Sequence, residues 1–449
     1  MRIVFFIASL PEDELHRHQF PLGPGYVGAW LQREFPDLDV RITATPDEVI
    51  ALRPDLVAIS SVTQCYNQAR QVAARVRCEL DVPVILGGYH ISALPQRLDL
   101  EFAAGVLGEG ELPMTELVRC FRETGAFPAA RLAVVPGICW REGSGRDDVR
   151  INPQPPRIPP DDLPRPLRNI SRGARNIVMF SSRGCAYRCE FCASTRHWGR
   201  LRNHSARFFV DELKDLVRDY DATSIYLLDD LFFADRNRVF AIADLLAAEG
   251  LRDRFTFHGF TTSNLAEDGL FDAARRMGFR SIRFGGETGS DRLLKRMKGS
   301  WASVASHQRC IDLGLAHGLE VSAAFMLGTP GETVEDLDLT VEFLERNRGR
   351  FRINGLYLTT PIPGTPYWDL ALAKGLVSLD MDFDRLNIDF GKTMSFDIDR
   401  CIYLNAENVP LETVGRYYAL IRDRFAMVDH GTPPAPVATA VAAGETACV

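Results

Sequence analysis

The sequence predicts an α/β protein made of two consecutive strand–helix arrays, a doubly wound parallel sheet followed by a partial (β/α)6 barrel. Three observations predict it. Short β-branched runs alternate with longer helical stretches, the alternation breaks once at a proline-rich run, and it then resumes for six further units. At 449 residues and 46% apolar content, the chain can fill two or three separate cores.

In the first array, residues 1–145, strands are expected at Arg2–Ala8, Asp39–Thr43, Asp55–Ser61 and Pro83–Gly88, with helices at Gly25–Glu34 and Gln68–Glu79. About five parallel strands result. Ser60, Ser61, Gly87, Gly88 and Gly108 stand at or near strand carboxyl ends, where open α/β sheets place ligands; tight turns would use the same residue types. Between Ile151 and Leu167 the run INPQPPRIPPDDLPRPL holds seven prolines, which cannot fill helix interiors or donate to a ladder. Residues 146–172 are therefore read as an extended connector.

In the second array, residues 173–365, six strands are expected at Asn176–Phe180, Ser224–Leu228, Phe255–Phe260, Ser281–Phe284, Glu320–Leu327 and Ile353–Leu358. Helical stretches at Val210–Tyr220, Arg236–Glu249, Leu270–Met277, Ala302–His317 and Val334–Asn347 separate them, so the barrel stays open on one side. Residues 366–430 read as a helical and irregular segment. The Pro/Ala-rich residues 431–449 read as disordered.

Asp and Glu number 59 against 52 Lys and Arg, a formal charge of -7 that disfavours a nucleic-acid partner. No apolar run approaches the ~20 residues that span a bilayer, so no membrane partner is expected. Ten cysteines behind an opening without a basic n-region point to reduced thiols in a cytoplasm rather than a disulfide scaffold.

Three of those cysteines carry the strongest chemical signal. Cys185, Cys189 and Cys192 lie in RGCAYRCEFC at C-x3-C-x2-C spacing, directly after the first barrel strand, and chance produces such a pair of offsets with a probability of roughly 0.005. Structural zinc would need a fourth ligand, and Cys139 and Cys310 are distant and isolated in sequence. Three thiolates on a four-iron cluster leave one iron free to bind a small molecule.

This motif, placed after strand one of a six-unit barrel, closely resembles that of the radical S-adenosylmethionine (SAM) superfamily, and the resemblance covers nearly the whole chain. It implies a [4Fe-4S] cluster held by Cys185, Cys189 and Cys192, with SAM chelated to the open iron and cleaved by one electron to a 5′-deoxyadenosyl radical. Phe191, preceding the last cysteine, is then expected beside the adenine. Asp229 and Asp230 in YLLDDLFF end strand two, where a carboxylate suits the ammonium of the methionine moiety or a substrate hydroxyl; the alternative is an N-cap for the helix near Asp235. Gly285, Gly286, Glu287 and Thr288 in RFGGETGS end strand four, where the family commonly uses a Glu for the ribose hydroxyls. Gly328 and Pro330 in GTPGET resemble the turn facing the adenine, and PIPGTP at 361–366 follows strand six; both could be simple turns. His258, Tyr357, Tyr187 and Trp198 are secondary candidates, with His258 also readable as a hydrogen-bonded core residue. Arg183, Arg188, Arg196, Arg200 and Arg202 could offset the cluster's charge, face a one-electron donor such as flavodoxin, or form a solvated face.

Ahead of the barrel, PLGPGYVGAWL, PDLVAISSVT, VPVILGGYHISALP and VLGEGE resemble the Rossmann-like, cobalamin-binding-type domain fused to many such enzymes. The D-x-H-x-x-G loop that coordinates cobalt through histidine is absent, and the corresponding loop reads ASLPEDELHRH, so cobalamin stays open and His16, His18 and His90 are not assigned to it. Two radical chemistries follow: methylation with methylcobalamin in natural-product biosynthesis, or dehydration of a sugar diol, resembling the radical dehydratase of aminoglycoside (apramycin-type antibiotic) deoxygenation. The sequence leans to the dehydratase, because the chain is shorter than typical tailoring methylases and its acidic balance suits a polar amino sugar as small-molecule substrate. Asp230 or Tyr357 would then protonate the leaving hydroxyl. A non-catalytic iron–sulfur electron carrier is the remaining reading, disfavoured because carriers cap all four irons.

Overall fold

The computed structural model describes residues 1–9, 22–143, 145, 148–168, 175–386 and 401–427. The first strand sets the architecture. β1 (Arg2–Ile7) reads RIVFFI and is buried from Ile3 onward. Its alternate residues feed two apolar layers: Val4 and Phe6 pack on one face of the sheet, Ile3, Phe5 and Ile7 on the other. β1 pairs in parallel with β2 (Asp39–Thr43) and β3 (Leu56–Ser60), and β4 (Val84–Gly87) and β5 (Ala104–Val106) extend the parallel sheet.

The sheet has seven strands, in the order β2-β1-β3-β4-β5-β6-β7, rather than about five. The additions are β6 (Ile138–Arg141) and β7 (Val149–Ile151), which are antiparallel. At three or four residues each, amid glycine and charge, neither carries enough periodicity to be read from sequence. The proline run is not a free tether either. Ile158 and Leu163 pack on Leu22, Tyr26 and Trp30 of the Leu22–Glu34 helix, and Leu167 N–H donates to Gly25 O at 3.0 Å.

The second sheet begins with β8 (Asn176–Met179). Two-residue strands β9 (Ser182–Arg183) and β10 (Arg202–Asn203) form a separate antiparallel clip. β11 (Ser224–Leu227), β12 (Thr256–Thr261), β13 (Phe279–Glu287), β14 (Glu320–Leu327) and β15 (Arg352–Leu358) complete six parallel strands in the order β15-β14-β13-β12-β11-β8, with β15 and β8 at open edges. Phenylalanines 257, 279, 284 and 325 lead the core between this sheet and its helices. The C-terminal segment joins both halves: Tyr367, Trp368 and Leu404 pack into the core of the first sheet, Val414 and Ile421 against the second.

Among the described residues, no helix is long and apolar enough to cross a membrane. Residues 10–18 of the ASLPEDELHRH loop, with His16 and His18, and the tail 431–449 lie outside the described residues.

Candidate functional site

The three cysteines sit on an excursion clipped at its base. β9 and β10 pair Arg183 with Arg202 and Ser182 with Asn203, so residues 184–201 must leave and return within one ladder. Gly184 makes the exit possible: its φ is +89°, and a Cβ there would lie 2.7 Å from the carbonyl oxygens of Gly199 and Arg200. The loop is then tied to the barrel. Glu190 N–H donates to Met297 O at 2.9 Å, Tyr187 stacks on Trp301 at 3.9 Å, and Asn264 Nδ2 donates to the Tyr187 hydroxyl at 2.7 Å.

Cys185, Cys189 and Cys192 are half-buried. Burial pushes their thiols up, Cys189 to about 12 and Cys192 to about 11, while the Lys298 ammonium pulls Cys185 and Cys189 back down. Such thiols need a cation to become thiolates, which iron supplies on coordination. Ligands of one tetrahedral ion lie within about 4 Å of each other. Among the described residues no group of three His, Cys, Asp or Glu side chains is arranged to hold a single metal ion, whereas a four-iron cluster spreads its thiolates over separate irons. The cysteine set fits the cluster.

The strand-end carboxylates differ sharply in surroundings. Asp229 is buried and accepts from Ser181 N–H at 2.6 Å, from Ser182 N–H at 3.2 Å and from the Ser181 hydroxyl. It ties β11 to the turn after β8, a structural duty that leaves little for a ligand. Neither Asp229 nor Asp230 caps the following helix, because Asp235 does so itself through Arg238 N–H at 3.0 Å. Asp230 is reached by solvent and accepts from the Ser194 hydroxyl. Crowding by protein on its other sides, opposed by that hydrogen bond and reinforced by Asp229, pushes its carboxyl up to about 6.

Glu287 sits in a β-bulge with φ +60°. A Cβ on Gly285 would lie 2.1 Å from Glu287 Oε1, so the glycine makes room for that carboxylate. Glu287 pairs with buried Lys298 at 3.0 Å, and Lys298 Nζ also donates to Gly285 O at 2.7 Å. A Cβ on Gly286 would press on the Phe325 ring at 3.0 Å. Thr288 faces away from the cleft toward Thr340, hydroxyl to hydroxyl at 3.0 Å, and holds the turn in place. At the next strand end Gly328, with φ +75°, donates its N–H to Glu332 Oε2 at 2.6 Å, and Pro330 continues the turn. Burial pushes the Glu332 carboxyl up to about 8.

His258 lies inside the barrel, its Nδ1 2.7 Å from the Ser281 hydroxyl, and burial lowers it to about 4. That is a packed, neutral side chain rather than an acid–base group. Tyr357 is half-buried opposite Met326, one residue before the end of β15. Phe191 packs against the core that the C-terminal segment shares with the first sheet. His90 is stacked on Tyr66 at 3.8 Å and against Phe383, inside that same core.

The carboxyl ends of the first sheet meet this region across a cavity of about 570 Å³. Ile7, Ala58, Ser60 and Gly87 line it from one side, Arg183, Trp198 and Leu228 from the other. It straddles the point between β1 and β3 where strand order reverses, the usual ligand crevice of such sheets. Gly88, with φ +94°, permits the approach there: a Cβ would lie 2.7 Å from Ser61 O. Of the arginines, Arg183 and Arg202 are drawn into ion pairs, whereas Arg188, Arg196 and Arg200 are exposed. Arg183 reaches Glu111 at 2.7 Å and Glu109 at 3.1 Å, Arg202 also pairs with Glu109, and Arg157 reaches Glu109 at 2.7 Å. The VLGEGE motif thereby clamps the two halves together. Lys298, Glu109 and Glu111 were not singled out from sequence, and only for the glutamates was there a signal, their place after β5.

Comparison with known proteins agrees with this geometry. Residues 179–344 match the Radical SAM superfamily, and residues 19–118 match the B12 binding domain. The chain is a radical SAM protein with a B12-binding domain. Its cofactors include the [4Fe-4S] cluster and SAM. An uncharacterized methyltransferase of Pyrococcus horikoshii is 28% identical over 80% of this chain and 79% of its own. The cytidylyl-2-hydroxyethylphosphonate methyltransferase of Streptomyces wedmorensis is 25% identical over 86% and 84%. The fold matches that of the radical SAM methyltransferase TsrM of Kitasatospora setae, solved with cobalamin and a [4Fe-4S] cluster bound, at a TM-score of 0.68, 19% identity and coverage of 84% and 75%. The two curated relatives are named methyltransferases and do not support the dehydration toward which the sequence leaned. Chain length and acidity are properties of the whole molecule and carry no information about which reaction the site performs.

Proposed function

We propose that this radical SAM protein is a cobalamin-dependent methyltransferase acting on a small molecule. The observation that carries the reading is the apolar cavity between the strand ends of the first sheet and the cluster loop, supported by the methyltransferase names of the relatives. When bound, the cluster and SAM supply one-electron chemistry and a corrinoid supplies a transferable methyl group.

The chain's own residues position and shield. Cys185, Cys189 and Cys192 hold iron, and the β9–β10 clip with Tyr187 on Trp301 fixes the loop against the barrel. Gly87, Gly88 and Gly108 keep the cavity wall free of side chains, while Ile7, Ala58 and Ile85 exclude water from it. The ion cluster of Arg183 with Glu109 and Glu111 holds the two halves at one separation. Asp230 is the strand-end carboxylate reached by solvent, and with a carboxyl near 6 it can accept or return a proton near neutral pH at Oδ1, the oxygen that the Ser194 hydroxyl does not engage. A small-molecule amine or hydroxyl fits that position.

The test is protein purified from cobalamin-fed cells under anaerobic conditions, then given SAM labelled in its methyl group. A corrinoid spectrum with transfer of label to a substrate in the producing strain's extract is expected. Absence of corrinoid despite supply overturns the reading and returns the dehydratase alternative.

A further inference from the structure

A second, smaller cavity of about 320 Å³ lies under the proline-rich connector and adjoins the first. Glu111 and His197 line both cavities. Each also carries an unsatisfied polar atom: among the described residues, Glu111 Oε2 and His197 Nδ1 are buried without a hydrogen-bond partner. Glu111 is 2% exposed, so leaving that oxygen unpaired is costly. Orphaned atoms at the junction of two cavities point to a ligand that supplies the missing partners.

The chemistry of the pair narrows the ligand. Glu111 Oε2 is an acceptor and needs an N–H or O–H donor. Burial holds His197 at about 4, so near neutral pH its ring is uncharged and offers one donor and one acceptor nitrogen. A primary carboxamide has both N–H donors and a carbonyl acceptor. A carboxylate has only acceptors and a charge that Glu111 repels. The surrounding guanidiniums do not reverse this. Arg183 turns its N–H groups to Glu109 and Glu111, Arg202 to Glu109 and Ile158 O, and Arg157 to Glu109 and Trp198 O. Arg196 stands at the exposed rim of the smaller cavity, where solvent screens it.

We propose that Glu111 and His197 grip the carboxamide arms of the bound corrinoid and make the protein prefer an amidated corrin over its free-acid counterpart. The proposal rests on the cobalamin reading above. Tyr89 and Trp198 hold the histidine ring in place, with centroids 5.7 and 4.7 Å away.

The full chain with its cluster reconstituted is titrated with hydroxocobalamin, with cobinamide, whose arms are amides, and with cobyrinic acid, whose arms are carboxylates, following tryptophan fluorescence. Cobinamide is expected to bind at least about 10-fold more tightly than cobyrinic acid. Glu111→Gln should narrow that ratio to about 3-fold or less, and His197→Phe, which keeps the ring packing, should weaken cobinamide about 5-fold. Because Glu111→Gln also touches the Arg183 pair, the wild-type ratio and His197→Phe decide the matter if that variant does not fold. Tight hydroxocobalamin binding with equal affinity for the two corrins, or with ratios unchanged in the variants, overturns the grip alone. No binding of any corrinoid overturns the cofactor reading with it.

Discussion

The carboxyl ends of the parallel strands in the two sheets face one another, and they are built from opposite materials. The first sheet ends in Ile7, Ala58, Ser60 and Gly87, apolar or small, and makes a cavity by leaving side chains out. The barrel side carries the carboxylates Asp229, Asp230, Glu287 and Glu332, of which Asp230 and Glu287 act on the thiols of the cysteine loop. Both obey the same topological rule for where a ligand lies. The difference teaches that location comes from the parallel sheet and chemistry from the side chains at its edge. Within the barrel, identical residue types also diverge. Asp229 is satisfied by Ser181 and Ser182 and Glu287 by Lys298, Glu332 accepts from Gly328 N–H while its other oxygen is buried without a partner among the described residues, and Asp230 is reached by solvent.

Breaking the barrel side should cost most at the thiols. Cys189→Ser is expected to lower iron retention at least about 100-fold after anaerobic reconstitution, read by iron content and visible absorbance, while far-ultraviolet circular dichroism stays unchanged. Retained iron would mean that another side chain holds the metal.

The next largest effect belongs to Lys298. Lys298→Met leaves Glu287 buried and unpaired, which should destabilise the protein by about 3–5 kcal/mol in urea titration. Adding Glu287→Gln should recover most of the loss, because no isolated charge then remains. A double variant as unstable as the single one would show that packing, not charge, sets the cost.

Glu332 sharpens the contrast through pH. Its folded value of about 8 lies above its ordinary value of 4.5, so the native state holds a proton that the unfolded chain has released. The associated stability is complete below about 4.5 and is lost as pH rises toward 8, with a slope of up to about 1.4 kcal/mol per pH unit. Glu332→Gln should flatten this profile between pH 5 and 8, measured by urea midpoints at each pH. An unchanged slope would place the titration elsewhere.

The smallest stability effects separate the adjacent aspartates. Asp229→Asn should cost about 1–3 kcal/mol, because Ser181 and Ser182 then meet a poorer acceptor in a buried place. Asp230→Asn should change stability by no more than about 0.5 kcal/mol yet lower the proposed methyl transfer. Reversed outcomes would exchange the two roles.

The strands were legible because each is a local pattern. β8 and β11 to β15 lie within a few residues of the runs Asn176–Phe180 through Ile353–Leu358, and β1 matches Arg2–Ala8. The short antiparallel strands β6 and β7 were not legible, since three or four residues cannot establish a period. At the site, the cysteine triplet stood out by its spacing, and its reading as iron ligands came from the family resemblance. Thr288 and His258 matched their motifs in sequence, yet the fold turns them toward Thr340 and Ser281.

By itself, then, the sequence determined the two α/β arrays and the three thiols, because hydrophobic period and ligand spacing are encoded within a few dozen neighbouring residues. Only the tertiary structure decided which charges are available. Arg183 meets Glu109 across 74 residues of chain, and Lys298 meets Glu287 through a bulge and a helix. A buried charge is governed by whatever approaches within about 4 Å, and that neighbour is chosen by the packing of the whole molecule.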